Sequence, residues 1–277
     1  MGMRISTNVS ALASQRSLSS STREIQKSMA QLSSGSRITK SADDAAGLAI
    51  SENLKSQIRS MNQAGRNAND GISMIQTAEG GLGEISNILT RLRELGIQAS
   101  SDTIGDKERV MIDKEVQQLK DESQRIASTT KFGSQKLIDG TGGTFDFQVG
   151  IYNTDSEDRI SYKAGDADAS SSNLGIDDFD FTSKDGAQAA LSTLDEAQSM
   201  VNGFRANLGA LQNRLESTIS NAAVMHESLS AANSRIRDTD VAQATSEMVR
   251  NNILLQASTS TLAQANQVPG LAMKLIG

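Results

Sequence analysis

Acid–base or nucleophilic chemistry needs a histidine, a thiol or a pair of carboxylates held at short range. This chain of 277 residues has one histidine and no cysteine. His226 lies between Met225 and Glu227 inside an apolar seven-residue repeat, and no nucleophile–base pair is spaced around it. It reads as a packed or solvated helical side chain. The paired acids Asp43–Asp44 and Asp177–Asp178 read as a helix cap and a loop. Without cysteine there are no disulfides, thiol nucleophiles or cysteine-bearing metal sites. No glycine-rich stretch, the cluster Glu79-Gly80-Gly81-Leu82-Gly83 included, has the strand–loop–helix setting of a phosphate site. The sequence offers no catalytic, cofactor-binding or metal-ligating set, and an enzyme is not expected.

The elements that would carry any site are long helices. Phe, Trp and Tyr make up only 3% of the chain, too little for a thick core, whereas small side chains suit slender helical packing. Stepping by seven from Leu54 gives Met61, Ala68, Ile75, Leu82 and Leu89, with Ile58 and Ile72 on an adjacent row. From Leu194 the same step gives Val201, Leu208, Leu215, Ala222, Leu229 and Ile236, with the companion row Phe204, Leu211, Thr218, Met225 and Ala232. A strict repeat of seven keeps one seam facing a partner, and the second array spans roughly 63 Å at about 1.5 Å per residue. Between the arrays, Ile112, Val116, Leu119 and Ile126 mark a shorter helix that Asp106 could cap, with Lys131-Phe132-Gly133 just beyond its end. Burying one leucine contributes roughly 2 kcal/mol, so layered seams could offset the cost of ordering such a body. Gly65, Gly71, Gly80, Gly81 and Gly83 interrupt the first array, which is therefore expected in two helical pieces joined near residue 80. Thr144 to Gly165 alternates Phe145, Phe147, Val149 and Ile151, then Ile160 and Tyr162, the pattern of a β-hairpin. A Ser/Asp/Gly-rich loop follows to about 182, and the hairpin module is expected at one tip of the helical body.

Both chain ends are helix-capable. Ile5, Val9 and Leu12, then Ile25, Met29 and Leu32, step by four and three; Val241, Met248, Leu255 and Leu262 step by seven. Breaks isolate these ends. Ser41 and Asp44 have capping-box spacing, and so do Asp240 and Gln243. A separate small domain made of both ends is expected, marginal alone because its stripes are narrow and carry no aromatics. "LAQANQVPG", Leu262 to Gly270, is polar and uncharged and holds the only proline. Pro269 lacks a backbone donor and biases Val268 away from helix, so the last helix should stop or kink near Gln267.

Net charge is -6. Arg4, Arg16, Arg23, Lys27, Arg37 and Lys40 face only Glu24 in the first forty residues, so the acidity belongs to the middle. These basic side chains are scattered without aromatic interleaving, and no nucleic-acid partner is expected. No long apolar run marks a secretory signal or a membrane span, and membrane insertion is not expected. Asn8-Val9-Ser10 is a formal N-glycosylation triplet, discounted because it falls in a packed helix; surface Ser and Thr around 170–183 are the other modification candidates.

At this point the motifs resemble a known family, bacterial flagellin, over nearly the whole chain. The matching runs are "RISTNVSALASQRSL" from Arg4, "LSSGSRITKSADDAAGLAISENLKSQIR" from Leu32 and "NDGISMIQTAEGGLGEISNILTRLRELGIQAS" from Asn69 in the first half. In the second half they are "LGALQNRLESTISN" from Leu208 and "ILLQASTSTLAQANQVPG" from Ile253. Small departures occur: Phe132-Gly133-Ser134 replaces a familiar Phe-Asn-Gly, and Leu215 stands where phenylalanine is common. The resemblance implies a mostly α fold: an elongated helical bundle with paired, coiled-coil-like terminal helices and a small β-hairpin module. Residues 1–43 and 237–277 together would form the terminal domain lining the filament channel. Residues 44–142 and 183–236 would form the long-helix domain, with 143–182 as its hairpin and loop module. Little is inserted between the halves, so a short form is implied.

The implied function is structural: a subunit of the flagellar filament, self-assembling into the helical propeller of swimming motility. A hook-filament junction protein or a coiled-coil adaptor are the rival readings. The implied place is extracellular, reached through the flagellar type III apparatus without a cleaved signal peptide. Implied partners are other copies of the chain, the export apparatus and an export chaperone, the filament cap and the hook-junction proteins. Ile5, Val9, Leu12, Ile25, Met29, Leu32, Val241, Met248, Leu255, Leu262 and Pro269 are the candidate assembly residues. The uncharged tail suits a surface packed between subunits. Arg91, Leu95 and Glu115 resemble positions of a patch that packs subunits axially and that a host Toll-like innate receptor binds in some family members. No cofactor is implied.

Overall fold

The computed structural model describes residues 7–276, and side chains through Gln267. The chain divides into two compact units, Ile58–Glu227 and, from both chain ends, Met1–Gln57 with Ser228–Gly277. The elements in order are α1 (Val9–Ser34), α2 (Ala45–Ala99), α3 (Asp106–Thr129), the two-residue strands β1 (Lys131–Phe132) and β2 (Gln135–Lys136), β3 (Thr144–Gln148), the one-turn α4 (Asp155–Asp158), β4 (Arg159–Lys163), α5 (Lys184–Arg237) and α6 (Val241–Ile276). The fold is mostly α, with long paired helices and a small antiparallel hairpin.

The seven-residue rows form the core of the unit Ile58–Glu227. Met61, Ala68, Ile75, Leu82 and Leu89 of α2 are buried, as are Leu194, Val201, Leu208 and Leu215 of α5. Ile85, Leu92 and Val116 join them in one cluster. Past Leu215 the α5 row opens, leaving Val224 and Met225 exposed. Polar ties flank the seam: Arg93 to both Asp195 oxygens (2.7 and 3.3 Å) and Gln198 to the Ser86 hydroxyl (2.7 Å). Such exposed pairs fix orientation more than they stabilise.

The glycines do not break α2, which runs uninterrupted from Ala45 to Ala99. Tertiary packing overrides propensity here. A methyl group at Gly81 would come within 2.6 Å of the Thr130 hydroxyl and 3.0 Å of Ile138, and one at Gly71 within 3.0 Å of the Phe147 ring. These glycines let the segments after α3 lie directly on the α2 backbone. The expected Asp106 cap is also corrected. Gly105 is the cap residue, without a side-chain bond, and Asp106 is the first helical residue. Its carboxylate pairs at 2.9 Å with Arg109, whose buried guanidinium donates to the carbonyls of Ala99 (2.8 Å) and Ser101 (3.0 Å). Arg109 thereby closes the C-terminus of α2 and sets where α3 begins.

The expected hairpin forms, with Phe145 opposite Tyr162 and Phe147 opposite Ile160; its first strand ends at Gln148, so Val149 and Ile151 of the expected alternation lie beyond it. It lies on the flank of α2, not at a tip. Phe147 covers Gly71, and Asn67 donates to the Gln148 carbonyl at 3.0 Å. Buried Tyr162 stacks on Phe145 and donates its hydroxyl to the Leu137 carbonyl at 2.8 Å. Burial pushes its phenol up to about 12. The segment after β4, expected to be a polar loop, is core. Leu174, Ile176 and Phe181 are almost fully buried. Lys120 holds this segment from α3, donating to the carbonyls of Asp177 and Phe179 and lying 4.1 Å above the Phe179 ring. Burial lowers the Lys120 amine from its ordinary value, opposed by Asp113, Asp177, Asp180 and Asp178.

Two outcomes follow from this packing. Gly81→Ala should destabilise the unit by about 1–3 kcal/mol through overpacking. Its neighbour Gly80, with open space above it, should tolerate alanine and gain about 0.5–1 kcal/mol; urea unfolding of both variants gives the comparison, and equal effects would refute the close-approach explanation. Tyr162 gives an alkaline signature. Its folded value lies above the usual phenol, so its contribution is complete below about pH 10 and is lost as pH rises from there through about 12. Urea midpoints measured from pH 8 to 12 should fall less steeply above pH 10 for Tyr162→Phe than for the parent.

Candidate assembly interface

The unit built from both chain ends is a pair of helices, α1 and α6, joined to the starts and ends of their neighbours by polar ties. Asp44, not Ser41, caps α2: its carboxylate accepts from the Gly47 N–H at 2.8 Å. The expected box fails because Asp44, its second member, is itself the cap residue; the neighbouring Asp43 is turned back onto the preceding turn. There its carboxylate accepts from the Thr39 hydroxyl and from the N–H groups of Lys40 and Thr39, which hold it below its ordinary range. Asp240 caps α6 through the N–H groups of Ala242 (2.9 Å) and Gln243 (3.2 Å), but the Gln243 side chain turns to Glu247 instead of closing a box. Gly35 ends α1 in the left-handed conformation (φ 68°) and accepts from Thr239 N–H at 3.0 Å. Arg37 N–H donates to the Arg237 carbonyl and the Arg37 guanidinium to that of Ile236 (2.8 Å). Arg237 in turn pairs with Glu52.

Along α1 and α6 the fully buried residues are small. Ser21, Ser28, Ala244, Ser258 and Ala265 are buried. Of the candidate assembly residues, Ile25, Leu32, Met248, Leu255 and Leu262 are half-buried along the pair. Val9, Leu12, Met29 and Val241 face outward, each more than half exposed (62%, 51%, 57% and 62%). Ile5 and the side chain of Pro269 lie outside the described residues. Sequence reading missed Val249, Ile253 and Leu254, which also face outward; the four-residue spacing of Val249 and Ile253, beside the strict seven-step row, was the available signal. It also missed the small seam, because Ser and Ala carry no apolar weight in a periodicity count.

The helix α6 neither stops nor is replaced by a turn near Gln267; it extends to Ile276. The carbonyl that Pro269 leaves without a donor, that of Ala265, accepts from the Asn8 side-chain amide at 2.7 Å. The continuation thus does not leave that buried backbone group unsatisfied. The same amide's oxygen caps α1 at Ala11 N–H (3.0 Å), so the Asn8 side chain is committed at both ends.

A second surface lies in the other unit. Arg91 donates twice to one Glu115 oxygen (3.0 and 2.8 Å) and once to Glu94 (3.1 Å), and Glu115 is the first cause of its raised pKa. Both partners are about half exposed. Leu95 is not with them: it is 2% exposed, within the core cluster, so the surface pair is Arg91 with Glu115. His226 is half-buried, its ring nitrogen 3.2 Å from the Asn62 amide. Among the described residues no helix is long and apolar enough to cross a membrane.

Comparison with known proteins places these surfaces in a family. Residues 5–142 match the bacterial flagellin N-terminal helical region, and residues 191–276 match the bacterial flagellin C-terminal helical region. The chain is 44% identical to a flagellin of Halalkalibacterium halodurans, covering 99% of this chain and all of that one. It is 43% identical to a flagellin of Bacillus subtilis, again over 99% of this chain and all of the other. With polar flagellin F of Vibrio parahaemolyticus it shares 34% identity over an alignment of 377 residues that covers both chains fully. Among solved structures, Bacillus cereus flagellin superposes with a TM-score of 0.51 at 31% identity, covering 57% of this chain and 88% of that one. With both helical regions matched and whole flagellins aligned across it, the chain belongs to the bacterial flagellins, the extracellular subunits that build the flagellar filament.

Proposed function

We propose that this subunit polymerises chiefly through the outer faces of α1 and α6. The observation that supports the reading is the division of labour on the two helices. The fully buried residues between them are small and Ile25, Leu32, Met248, Leu255 and Leu262 are half-buried, while Val9, Leu12, Met29, Val241, Val249, Ile253 and Leu254 face outward. A helix pair with apolar residues on its free faces gains by burying them against further copies, and each large apolar side chain so buried is worth about 1.5–3 kcal/mol. Residues 1–43 and 237–277 line the filament channel in this reading. Residues 44–142 and 183–236 form the next shell, with 143–182 as their hairpin module. The exposed Arg91–Glu115 pair serves axial packing between subunits. In this reading the chain is exported through the flagellar type III apparatus with a chaperone and grows beneath a cap and upon hook-junction proteins, which its family membership supports. A Toll-like receptor for the Arg91–Glu115 face is a second reading, favoured by the exposure of that pair and weakened by the burial of Leu95.

Seeded polymerisation followed by negative-stain electron microscopy tests this. Parent monomers should elongate seeds into long filaments, which a junction protein or adaptor would not do; a chain lacking residues 262–277 should stay monomeric. Val249→Asp with Ile253→Asp should abolish elongation while leaving the monomer's helical circular dichroism unchanged, and filaments growing at the parental rate would sink the outer-face reading. For the second surface, Arg91→Glu should lower elongation by about tenfold, the effect of ~1.4 kcal/mol. Full recovery in the Arg91→Glu/Glu115→Arg swap would assign the pair to the inside of one subunit and remove it as a contact between subunits.

A further inference from the structure

The loop that joins β3 to β4 holds an aromatic side chain in water. Tyr152 is 65% exposed. Its backbone is nevertheless fixed. Buried Asp158 accepts from the N–H groups of Tyr152 (3.3 Å) and Thr154 (3.0 Å). The Gln148 amide donates to the carbonyls of Gly150 (3.0 Å) and Tyr152 (2.8 Å). Arg159 reaches the Gln148 side-chain oxygen at 3.3 Å and also donates to Asn153. A methyl group at Gly150 would come within 1.8 Å of the Asp158 carboxylate, so the turn closes tightly on that residue. An aromatic ring presented in this way meets a partner without the cost of ordering its loop. Tyrosine is also among the commonest anchors of protein interfaces.

The same unit carries a cleft that suits such a ring. Between β4 and α5 lies a hollow of about 260 Å³. Its floor is Phe204, Leu208 and Leu211, of which Phe204 and Leu211 are only half-buried. Ser161, Lys163 and Asn207 stand at its rim. A phenol can lay its ring on that floor and turn its hydroxyl to the polar rim. The charges agree as well. Glu157 lies in the one-turn α4 that follows Tyr152, and Lys163 lies at the cleft; among the described residues neither has an ion-pair partner. The ring and the cleft sit at different heights along α2. Asn67 binds the Gln148 carbonyl beside the loop, whereas Glu79 faces Arg205, the neighbour of Phe204. Asn67 and Glu79 are twelve residues apart, roughly 18 Å of helix. Two copies joined ring to cleft are therefore displaced along the helix axis, and each keeps one free element for the next copy. A contact between unlike surfaces of this kind propagates into a filament wherever its rotation does not close into a ring.

We propose that Tyr152 is the knob of a contact between copies in the filament, seated on Phe204, Leu208 and Leu211 of the neighbouring copy, with Glu157 facing that copy's Lys163. The contact rests on the filament reading and adds to it a surface away from the chain ends. The test uses seeded filaments of the full chain, which has no cysteine of its own. Monomers carrying Thr154→Cys and monomers carrying Asn207→Cys, both at exposed positions, are mixed, polymerised and treated with a short bifunctional thiol reagent. Covalent dimers of one variant with the other should appear on a denaturing gel, and filaments of either variant alone should give none. Separately, Tyr152→Ala should raise the monomer concentration left at the end of growth by about tenfold, whereas Tyr152→Phe should change it by less than about twofold. Filaments without the mixed dimer, dimers from a single variant, or an unchanged residual concentration for Tyr152→Ala would each overturn this contact and leave the filament reading standing. A parent that grows no filaments would overturn both.

Discussion

The fold depends on one constraint, that apolar side chains repeating every seven residues must share a seam. Met61 to Leu89 on α2 and Leu194 to Leu215 on α5 satisfy it, and nearly everything else in that unit is arranged around the result. An apolar stripe of this length cannot be left in water: each large side chain that leaves it contributes about 1.5–3 kcal/mol. Two facing stripes cover only part of each other. The third face is closed by α3, the hairpin and the segment 164–183, whose Val116, Ile160, Leu174 and Phe181 complete the cluster. Arg109 is the polar counterpart of this closure. It satisfies the last carbonyls of α2 and so lets the chain reverse into α3 without leaving buried acceptors open.

The terminal pair solves a different problem with different residues. Its fully buried residues are serine and alanine, which bury little area, while Ile25, Leu32, Met248, Leu255 and Leu262 are only half-buried, so the two helices gain less from each other than α2 and α5 do. Polar ties compensate for the thin seam. The turn at Gly35, the carboxylates of Asp43, Asp44 and Asp240, and the amide of Asn8 each satisfy backbone groups that a wider apolar face would otherwise have to shield.

Much of this was legible in the sequence, and the exceptions have a common cause. The two arrays, the helix between them and the hairpin alternation Phe145, Phe147, Ile160, Tyr162 are periodic signals, and periodicity survives without knowledge of neighbours. What could not be read depended on contacts between distant residues. The glycines of α2 looked like breaks because Thr130, Ile138 and Phe147, which lie against them, are far away in sequence. The segment after β4 looked polar because its Asp and Ser residues outnumber the few apolar ones. The alternation of Leu174 with Ile176 and of Phe179 with Phe181 was the overlooked sign. Pro269 looked like a stop because the donor that relieves it comes from Asn8, at the opposite end of the chain. Along the terminal helices the stepped rows were legible as apolar positions, but which member of each row turns outward is set by the partner helix.

The buried segment between β4 and α5 also bears on how flagellins vary in length. The alignment with polar flagellin F runs over 377 residues, against the 277 of this chain. In this chain the segment between the two matched helical regions is no spare tether, since Ala169, Leu174, Ile176 and Phe181 are buried in the core. Ser172–Asn173 and Asp177–Asp178 both face solvent within it, but the Asp177 carbonyl is held by Lys120, which favours the turn at Ser172–Asn173 for insertion. Cargo fused to this protein for surface display therefore has a defined port. Grafted at Ser172–Asn173 it leaves the core lining intact, whereas replacing the whole segment would uncover the apolar seam of α2 and α5.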